Sequence, residues 1–530
     1  MQATQEKHSS HKLASTIGRN TLFGIAANFV QMATRLVTVP IVIHHLGLGG
    51  YGIWNIIMMT ATYMRFGSVG IKTAFQKYVA EATGNGKYDR VNRLLSTGCA
   101  VLFVVSMAGL IPAAFFSTRI AVAVGVPQEF LRSSAGAISL LAVIMMMANL
   151  GAAFEAIITG GHRIDLVRKF STVLTIAEAV AIVVVLYLGY GLFAMAAVMG
   201  ASELIYVSCC YFASHRVVPE IRLGVQHISK DVLYELFRFA GSYQLVNVLE
   251  VLYASIIPLT VLKTFGADMA GVYAVVNRVV GCASIIQEAF LSPILSGGSM
   301  VYASGSAEKM QALVTKAFKV SLGLSLFPLG FIAVFGPTIA YAWTGQSNPA
   351  FGGAFWLICI RALFAAFSLL ALVLYRVSGK AILDNIRQVL RIVVLLGVAS
   401  FSAKLGFYGV LGGLAFSELI GMAFMLFALT QTFHLFRASS LLPDTLRLAS
   451  AAAIILAAGI IASYIPLPVD HSGRLSAALR LGEISLACLL IAWPSLVRTG
   501  AVSAAEGAAL FGAVFPRRSA EKVLVQNVGK

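Results

Sequence analysis

Four arginines lie inside stretches that are long and apolar enough to cross a bilayer: Arg35, Arg65, Arg278 and Arg361. An arginine near the centre of a spanning helix costs roughly 2.5–3.5 kcal/mol on insertion scales, so such residues usually face a polar interior and have a function. The planar guanidinium group donates two parallel hydrogen bonds to a phosphate or a carboxylate. The four arginines therefore predict a cationic cavity that binds an anionic ligand.

Uncharged polar residues accompany these arginines at helical spacing. Asn28, Gln31 and Arg35 are separated by three and four residues, so they share one helix face. Asn247 and Glu250, in a later span, form a second polar stripe. If these faces turn toward a shared interior, Asn28, Gln31 and Asn247 belong to the same substrate-binding site.

Two intramembrane carboxylates, Glu250 and Glu288, could carry the proton or Na⁺ that drives a transport cycle. Two other interpretations of the arginines stay open. Arg278 and Arg361 lie about a third of the way into their spans, so their side chains could extend to the membrane interface instead. Arginines could also pair with glutamates in a purely structural role. The intramembrane glutamates are Glu178, Glu203, Glu250, Glu288 and Glu418.

The sequence carries no catalytic constellation. It contains neither the G-x-x-x-x-G-K-[ST] motif of ATP-binding loops nor the H-E-x-x-H motif of zinc proteases. All six cysteines fall in apolar spans, which is typical of small core residues rather than of disulfides or metal ligands. We therefore expect a protein that is not an enzyme and that has no catalytic site, metal site or cofactor.

The elements that must position these residues are membrane-spanning helices. Of 530 residues, 58% are hydrophobic and 12% are charged, against about 25% charged residues in soluble domains. A span needs about 20 apolar residues. About fourteen such spans are predicted, at 21–43, 52–78, 94–115, 134–159, 169–188, 191–212, 239–262, 270–298, 317–336, 352–376, 389–406, 409–433, 446–465 and 480–497. The fold class is thus all-α and polytopic.

The distribution of Lys and Arg sets the orientation. With the N-terminus in the cytoplasm, most of the 39 basic residues fall in cytoplasmic segments, as the positive-inside rule requires. The outer segments hold only Arg119, Arg132, Lys263, Lys404, Arg474 and Arg480. Both termini are therefore predicted to be cytoplasmic. The net charge of +17 follows from this topology, so it does not indicate nucleic-acid binding.

An internal repeat relates residues 24–54 to residues 243–273, at an offset of 219 residues. The two copies are six spans apart, so they point the same way across the membrane, as in transporters built from parallel repeats. Chance similarity between apolar sequences is the alternative. The aligned pairs include Asn28 with Asn247, Gly47 with Gly266, and Gly52 with Gly271.

The repeat predicts two six-helix lobes around a central cavity, followed by two extra C-terminal helices. The predicted boundaries are 12–215 and 228–436 for the lobes, 440–498 for the extra pair, and 499–530 for a cytoplasmic tail. Within the linker between the lobes, residues 228–237 have the pattern of an amphipathic helix, which we expect to lie on the inner leaflet.

The start of the chain resembles a known family. The resemblance rests on Thr16-Ile-Gly-Arg-Asn20, Val39-Pro-Ile-Val-Ile-His-His-Leu-Gly47, Gly50-Tyr-Gly-Ile-Trp54 and the segment GSVGIKTAFQKYVAEATGNG at 67–86. It is similar to the lipid-linked polysaccharide flippases, the Wzx-type members of the multidrug/oligosaccharidyl-lipid/polysaccharide (MOP) exporter superfamily. Beyond these residues, the resemblance covers only the number of helices and the two-lobe layout.

The resemblance implies a multi-pass protein of the bacterial inner membrane. It would move an undecaprenyl-diphosphate-linked oligosaccharide to the outer leaflet by alternating access, for exopolysaccharide, capsule or lipopolysaccharide O-antigen. Its partners would be that lipid-linked oligosaccharide, membrane lipids and other polysaccharide assembly proteins. Two alternatives remain: a flippase for the peptidoglycan precursor lipid II, which the extra helix pair favours, and a multidrug-type cation antiporter, which should have carboxylates rather than arginines in its cavity.

Overall fold

The computed structural model describes residues 30, 32–34, 36–61, 78–79, 81–82, 86–161, 163–303, 307–377, 382–433, 438–465 and 473–501. Every regular element in these ranges is helical. The helices are α1 (Met32–Ala61), α2 (Tyr88–Val124), α3 (Gln128–Gly160), α4 (Ile164–Tyr187), α5 (Leu192–Val217), α6 (Lys230–Phe265), α7 (Ala267–Ala303), α8 (Ala307–Thr344), α9 (Ala350–Val377), α10 (Ile382–Ser400), α11 (Ser402–Phe433), α12 (Ala438–Ser463) and α13 (Arg474–Arg498).

Eleven of these helices contain segments long and apolar enough to cross a membrane, which confirms the predicted all-α, polytopic fold. Helix α1 contains the end of the first predicted span and the start of the second. Gly47 lies between them, with a φ of 73°. Helix α10 is not apolar enough to count among these membrane-spanning segments, because its first three turns carry the charged residues Asp384, Arg387 and Arg391. It also begins seven residues before the predicted span at 389–406.

The chain divides into two compact units. The first comprises Met1–Val275 and Gln388–Gly413, and the second comprises Val276–Arg387 and Leu414–Lys530. The predicted lobes at 12–215 and 228–436 follow the repeat rather than this division, and their boundaries remain a prediction. Of the predicted tail at 499–530, only residues 499–501 are described.

In the first unit, a core formed by α2, α3 and α5 includes the start of α6. Val232 and Leu236 of α6 are buried in one cluster with Leu94 of α2 and Ile157 of α3. The prediction of a separate amphipathic helix at 228–237 on the inner leaflet is therefore wrong. These residues are mostly the first turns of the continuous helix Lys230–Phe265, and their apolar face packs against protein instead of lipid.

Buried polar side chains of α2 hold the segment between α5 and α6. The Asn92 amide donates to the Glu220 carbonyl oxygen at 3.2 Å and accepts from the Arg222 backbone N–H at 2.8 Å. Thr97 accepts from the Ser229 backbone N–H at 3.0 Å in the same way. Since an unsatisfied buried backbone group is costly, these side chains fix the course of the linker.

Replacing Asn92 with alanine is expected to destabilise this region by about 1–3 kcal/mol, because two backbone groups lose their partner. Hydrogen exchange of residues 218–229 in detergent should accelerate, while α3 exchanges as before. Asn149→Ala is a useful comparison, since its Nδ2 contacts Ser106 of α2 at 2.8 Å within the apolar spans and not the linker. Equal exchange of the linker in the native protein and in Asn92→Ala would contradict this assignment.

In the second unit, the C-terminal helix pair packs on α8. Phe335 of α8, Ile455 of α12, and Ile484 and Cys488 of α13 form one buried cluster. A second cluster joins α8, α9 and α11, where the Tyr375 hydroxyl donates to the Met425 carbonyl oxygen at 3.0 Å. The two extra helices are therefore an integral part of this unit.

Candidate functional site

The structure describes two of the four predicted intramembrane arginines, and both belong to the second unit. Arg278 of α7 and Arg361 of α9 are half-buried. Among the described residues, neither has a carboxylate within 4 Å. The Nε atom of Arg361 is fully buried and has no hydrogen-bond partner in the part of the chain that the structure describes. A buried guanidinium N–H without a partner is costly, so this group is suited to an anionic oxygen supplied from outside the chain.

The other predicted site residues are described only in part or not at all. Glu250 of α6 has an exposed side chain, 15 residues before the helix end at Phe265, or about 22 Å along the axis. A carboxylate at that depth needs water or a counter-cation. Asn247 and Glu288 lie in helices α6 and α7, where only their backbone is described. The remaining predicted residues, Asn28, Gln31, Arg35 and Arg65, fall outside the described residues.

A buried charge cluster on α10 was missed by the sequence analysis, which placed Arg387 in a cytoplasmic flank. The Arg387 guanidinium donates to Asp384 Oδ1 through Nη2 at 2.9 Å and through Nε at 3.1 Å. Its Nη1 lies 3.7 Å from Glu418 Oε1 on α11. Asp384, Arg387 and Glu418 are 3%, 7% and 0% exposed, so this ion network is almost wholly removed from solvent.

The polar face of α10 continues one turn further, in the first unit. The Nη1 atom of Arg391 donates to Gln388 Oε1 at 2.8 Å, and its guanidinium carbon lies 3.5 Å from the ring centroid of Tyr253 on α6. A cation over an aromatic face is worth about 2 kcal/mol when desolvated. The signal in the sequence was the polar series 384, 387, 388 and 391, whose spacing of three, one and three residues marks one helix face.

Replacing Arg387 with alanine is expected to destabilise the protein by about 3–5 kcal/mol, because two buried carboxylates lose this counter-charge. The triple variant Arg387→Met, Asp384→Leu, Glu418→Gln should recover most of the lost stability, because none of the three charges of the network remains buried. Thermal unfolding in detergent measures both. Wild-type stability of the single variant would show that the network contributes little.

The two copies of the internal repeat meet within the first unit at a pair of aligned glycines. A methyl group on Gly52 would lie 2.7 Å from the Ala267 carbonyl oxygen, and one on Gly271 would lie 2.7 Å from the Leu48 carbonyl carbon. At the repeat offset of 219 residues, positions 48 and 52 align with positions 267 and 271. Each contact is therefore the symmetry mate of the other, as in a two-fold interface.

Aligned glycines also shape the chain just before this contact. Gly47 and Gly266 both have positive φ angles, of 73° and 87°. Residues other than glycine rarely adopt this backbone conformation. Gly47 turns the chain within α1, and Gly266 turns it between α6 and α7, so that the residues after each glycine lie against their repeat mates. The repeat predicted from the sequence thus has a physical counterpart at this contact.

Substituting Gly271 with alanine should separate α1 from the start of α7, because the new methyl group meets backbone that cannot yield. Overpacking of this kind costs about 1–3 kcal/mol. Gly281→Ala is the matched control on the same helix, where no atom of the described residues lies within 4 Å of the added methyl group. Thermal unfolding should show a lower Tm for Gly271→Ala only. Equal Tm values for both variants would mean that the contact is not tight in solution.

Comparison with solved structures identifies the architecture. An inward-facing multidrug resistance MATE family transporter of the MOP superfamily aligns with a TM-score of 0.66 at 13% identity, over 77% of this chain and 94% of that one. The lipid II flippase MurJ, in an inward closed conformation, aligns with a TM-score of 0.67 at 14% identity, over 90% of this chain and 99% of that one. This chain has the MOP-transporter fold.

The MOP fold is also found in a Pyrococcus furiosus transporter, whose structure was described as having a binding pocket of reverse polarity. It aligns with a TM-score of 0.57 at 13% identity, over 80% of this chain and 96% of that one. No family model matches the sequence. Among curated proteins, the "uncharacterized membrane protein EpsK" of Bacillus subtilis (strain 168) is 23% identical over 393 residues, covering 70% of this chain and 74% of the relative.

Three described features of this chain bear on its function, and each lies within one of the two units. Arg278 and Arg361 are cationic groups without described carboxylate partners. Glu250 is an exposed acid near the middle of helix α6. The glycine contact joins the two repeat copies, and the predicted orientation puts it at the outer end of their helices.

Proposed function

We propose that this protein is a flippase that moves an undecaprenyl-diphosphate-linked oligosaccharide across the bacterial inner membrane by alternating access. The observation that carries the proposal is the half-buried Arg361, whose Nε has no hydrogen-bond partner in the described part of the chain. Together with Arg278 it offers charge-assisted hydrogen bonds to a diphosphate. Such bonds contribute about 1.5–3 kcal/mol each.

The two functional groups of this substrate suit the two environments of a membrane transporter. Arginines hold the diphosphate in a polar interior, while the polyprenyl chain stays in lipid. Arg35 and Arg65, with Asn28, Gln31 and Asn247, complete the cationic site in this proposal. Glu250 and Glu288 are then the candidate carriers of the coupling ion. The cargo would serve exopolysaccharide, capsule or O-antigen synthesis, in contact with other polysaccharide assembly proteins.

The comparisons support a transporter rather than an enzyme, since the similar structures are named as transporters and flippases. Lipid II is the closest alternative cargo, because the lipid II flippase aligns over 90% of this chain. A multidrug-type cation antiporter is less well supported. Its cavity should offer unneutralised carboxylates, whereas the buried Asp384 and Glu418 are engaged by Arg387.

The test is to deplete the protein in its native host and analyse the lipid-linked glycan. We expect an undecaprenyl-diphosphate-linked oligosaccharide to accumulate on the cytoplasmic leaflet, with loss of the surface polymer and normal peptidoglycan. Accumulation of lipid II with cell lysis would favour the alternative cargo. Unchanged surface glycan together with sensitivity to organic cations would refute the proposal and favour antiport.

A further inference from the structure

A groove of about 660 Å³ lies between the start of α4 and the end of α5, within the first unit. Arg163 and Arg216 line it, together with the apolar side chains of Leu166, Phe170 and Phe212. Its volume falls in the range of about 300–1,000 Å³ that is typical of ligand pockets.

The groove changes from cationic to apolar along the axes of α4 and α5. Arg163 directly precedes α4, and Arg216 is the penultimate residue of α5. Both arginines therefore belong to the end of the groove where α4 begins and α5 ends. Phe170 is six residues into α4 and Cys209 is eight residues before the end of α5. These separations correspond to about 9 Å and 12 Å at 1.5 Å per residue. A ligand there meets positive charge at one end and hydrocarbon at the other.

The helix ends that form the groove lie at the inner leaflet in the predicted orientation. Arg168, Lys169 and Arg222 cluster at these ends, whereas the turn at 188–191 that joins the opposite ends contains no charged residue. Apolar side chains exposed along α4 and α5, among them Val173 at 65% and Phe212 at 65%, indicate a lipid-facing surface. The groove therefore opens to lipid.

The charge of the groove is only partly neutralised. Arg163 pairs with Asp165, with Nε at 3.1 Å from Oδ1. Arg216 is exposed and has no acidic partner within 4 Å among the described residues. Basic pockets between helices on the cytoplasmic side are the usual binding sites of anionic lipid headgroups.

We propose that this groove binds an anionic phospholipid of the inner leaflet, with the phosphate at Arg216 and Arg163 and the first acyl carbons against Phe170 and Phe212. The glycerophosphate would sit at the level of the helix ends, where the guanidinium groups are. The acyl chains continue into the bilayer along the exposed face of α4 and α5. This groove shares no residue with the proposed transport site, and the proposal does not depend on the identity of the cargo.

The experiment uses the full-length protein in nanodiscs that contain phosphatidylcholine with a photoactivatable phosphatidylglycerol. Mass spectrometry after illumination locates the labelled peptides. We expect labelling within 164–170 and 209–217, and a drop of about tenfold in the double variant Arg163→Gln, Arg216→Gln. Arg93→Gln is the matched control, since Arg93 is exposed near the cytoplasmic end of α2 and does not line the groove. It should label like the native protein.

A second variant tests the shape of the site without altering its charge. Cys209→Phe fills the apolar part of the groove and should reduce labelling as well. Equal labelling by photoactivatable phosphatidylcholine and phosphatidylglycerol would overturn the proposal, as would undiminished labelling in both groove variants. Preferential labelling of the same peptides by a polyprenyl diphosphate probe would also overturn it, because the groove would then belong to the cargo.

Discussion

Oxidation of a variant with Gly49→Cys and Ala267→Cys is expected to stop transport, and reduction is expected to restore it. A β-carbon on Gly49 would lie 3.2 Å from the Ala267 β-carbon, close to the 3.5–4.5 Å of disulfides. The bond would tie the two repeat copies together at the contact of Gly52 with Gly271. In the proposed alternating access, the two repeat copies separate at this contact, so a covalent link should reduce the transport rate to background.

The linked peptide is identified by mass spectrometry, and transport is measured before and after the addition of a reductant. Each single-cysteine variant, treated with the same oxidant, controls for damage to the six native cysteines, all of which are free thiols in this structure. Transport that continues at the native rate with the disulfide fully formed would show that the contact is a fixed part of the fold and not a gate.

Neutralising Arg278 and Arg361 together, as Arg278→Gln and Arg361→Gln, should weaken binding of a polyprenyl diphosphate at least about hundredfold. Each arginine would contribute about 1.5–3 kcal/mol through charge-assisted bonds, and about 1.4 kcal/mol corresponds to a factor of ten. Lysine at the same positions should recover part of the affinity, because it keeps the charge and loses the bidentate geometry.

Binding is measured by native mass spectrometry or by titration in detergent, with Arg132→Gln as the control. Arg132 is an exposed arginine in the predicted outer segment and serves no proposed binding role. An unchanged Tm in the double variant would separate loss of binding from loss of fold. Native affinity for the diphosphate in the double variant would remove both arginines from the site.

The fold was largely predictable because hydropathy and charge respond to a single physical constraint, the bilayer. Apolar length gives the spans, while the direction that the distribution of Lys and Arg predicts for them stays a prediction. The register of the repeat was also accessible, because Gly47, Gly52, Gly266 and Gly271 are needed for backbone geometry. Such positions cannot be replaced as freely as Leu or Val in a lipid-facing helix.

The charged face of α10 could not be predicted by the same logic. Charged residues such as Arg387 and Arg391 lower the hydropathy of their segment. The predicted span therefore began at residue 389, seven residues after the start of the helix at Ile382. In the structure, Arg387 is matched by Asp384 and by Glu418, which is 31 residues away in the sequence. Opposite charges brought together by folding offset much of the cost of burial, and a local window of sequence does not contain that pairing.

Likewise, the inner-leaflet helix predicted at 228–237 failed because amphipathicity does not distinguish a lipid surface from a protein surface. Val232 and Leu236 are covered by α2 and α3 rather than by acyl chains. For Arg278 and Arg361, the sequence predicted a position within a membrane span but could not show whether either arginine pairs with a carboxylate. The absence of a described carboxylate within 4 Å is what makes them candidates for a ligand.

The central claim is tested most directly by transport in proteoliposomes that contain the purified protein and an undecaprenyl-diphosphate-linked oligosaccharide labelled on its sugar. Exposure of the sugar to an impermeant glycosidase reports its movement between leaflets. We predict rapid protein-dependent exposure by the native protein, and exposure near the protein-free rate in the Arg278→Gln, Arg361→Gln variant. Equal exposure with the native protein and the double variant, or none above the protein-free rate with the native protein, would contradict the account.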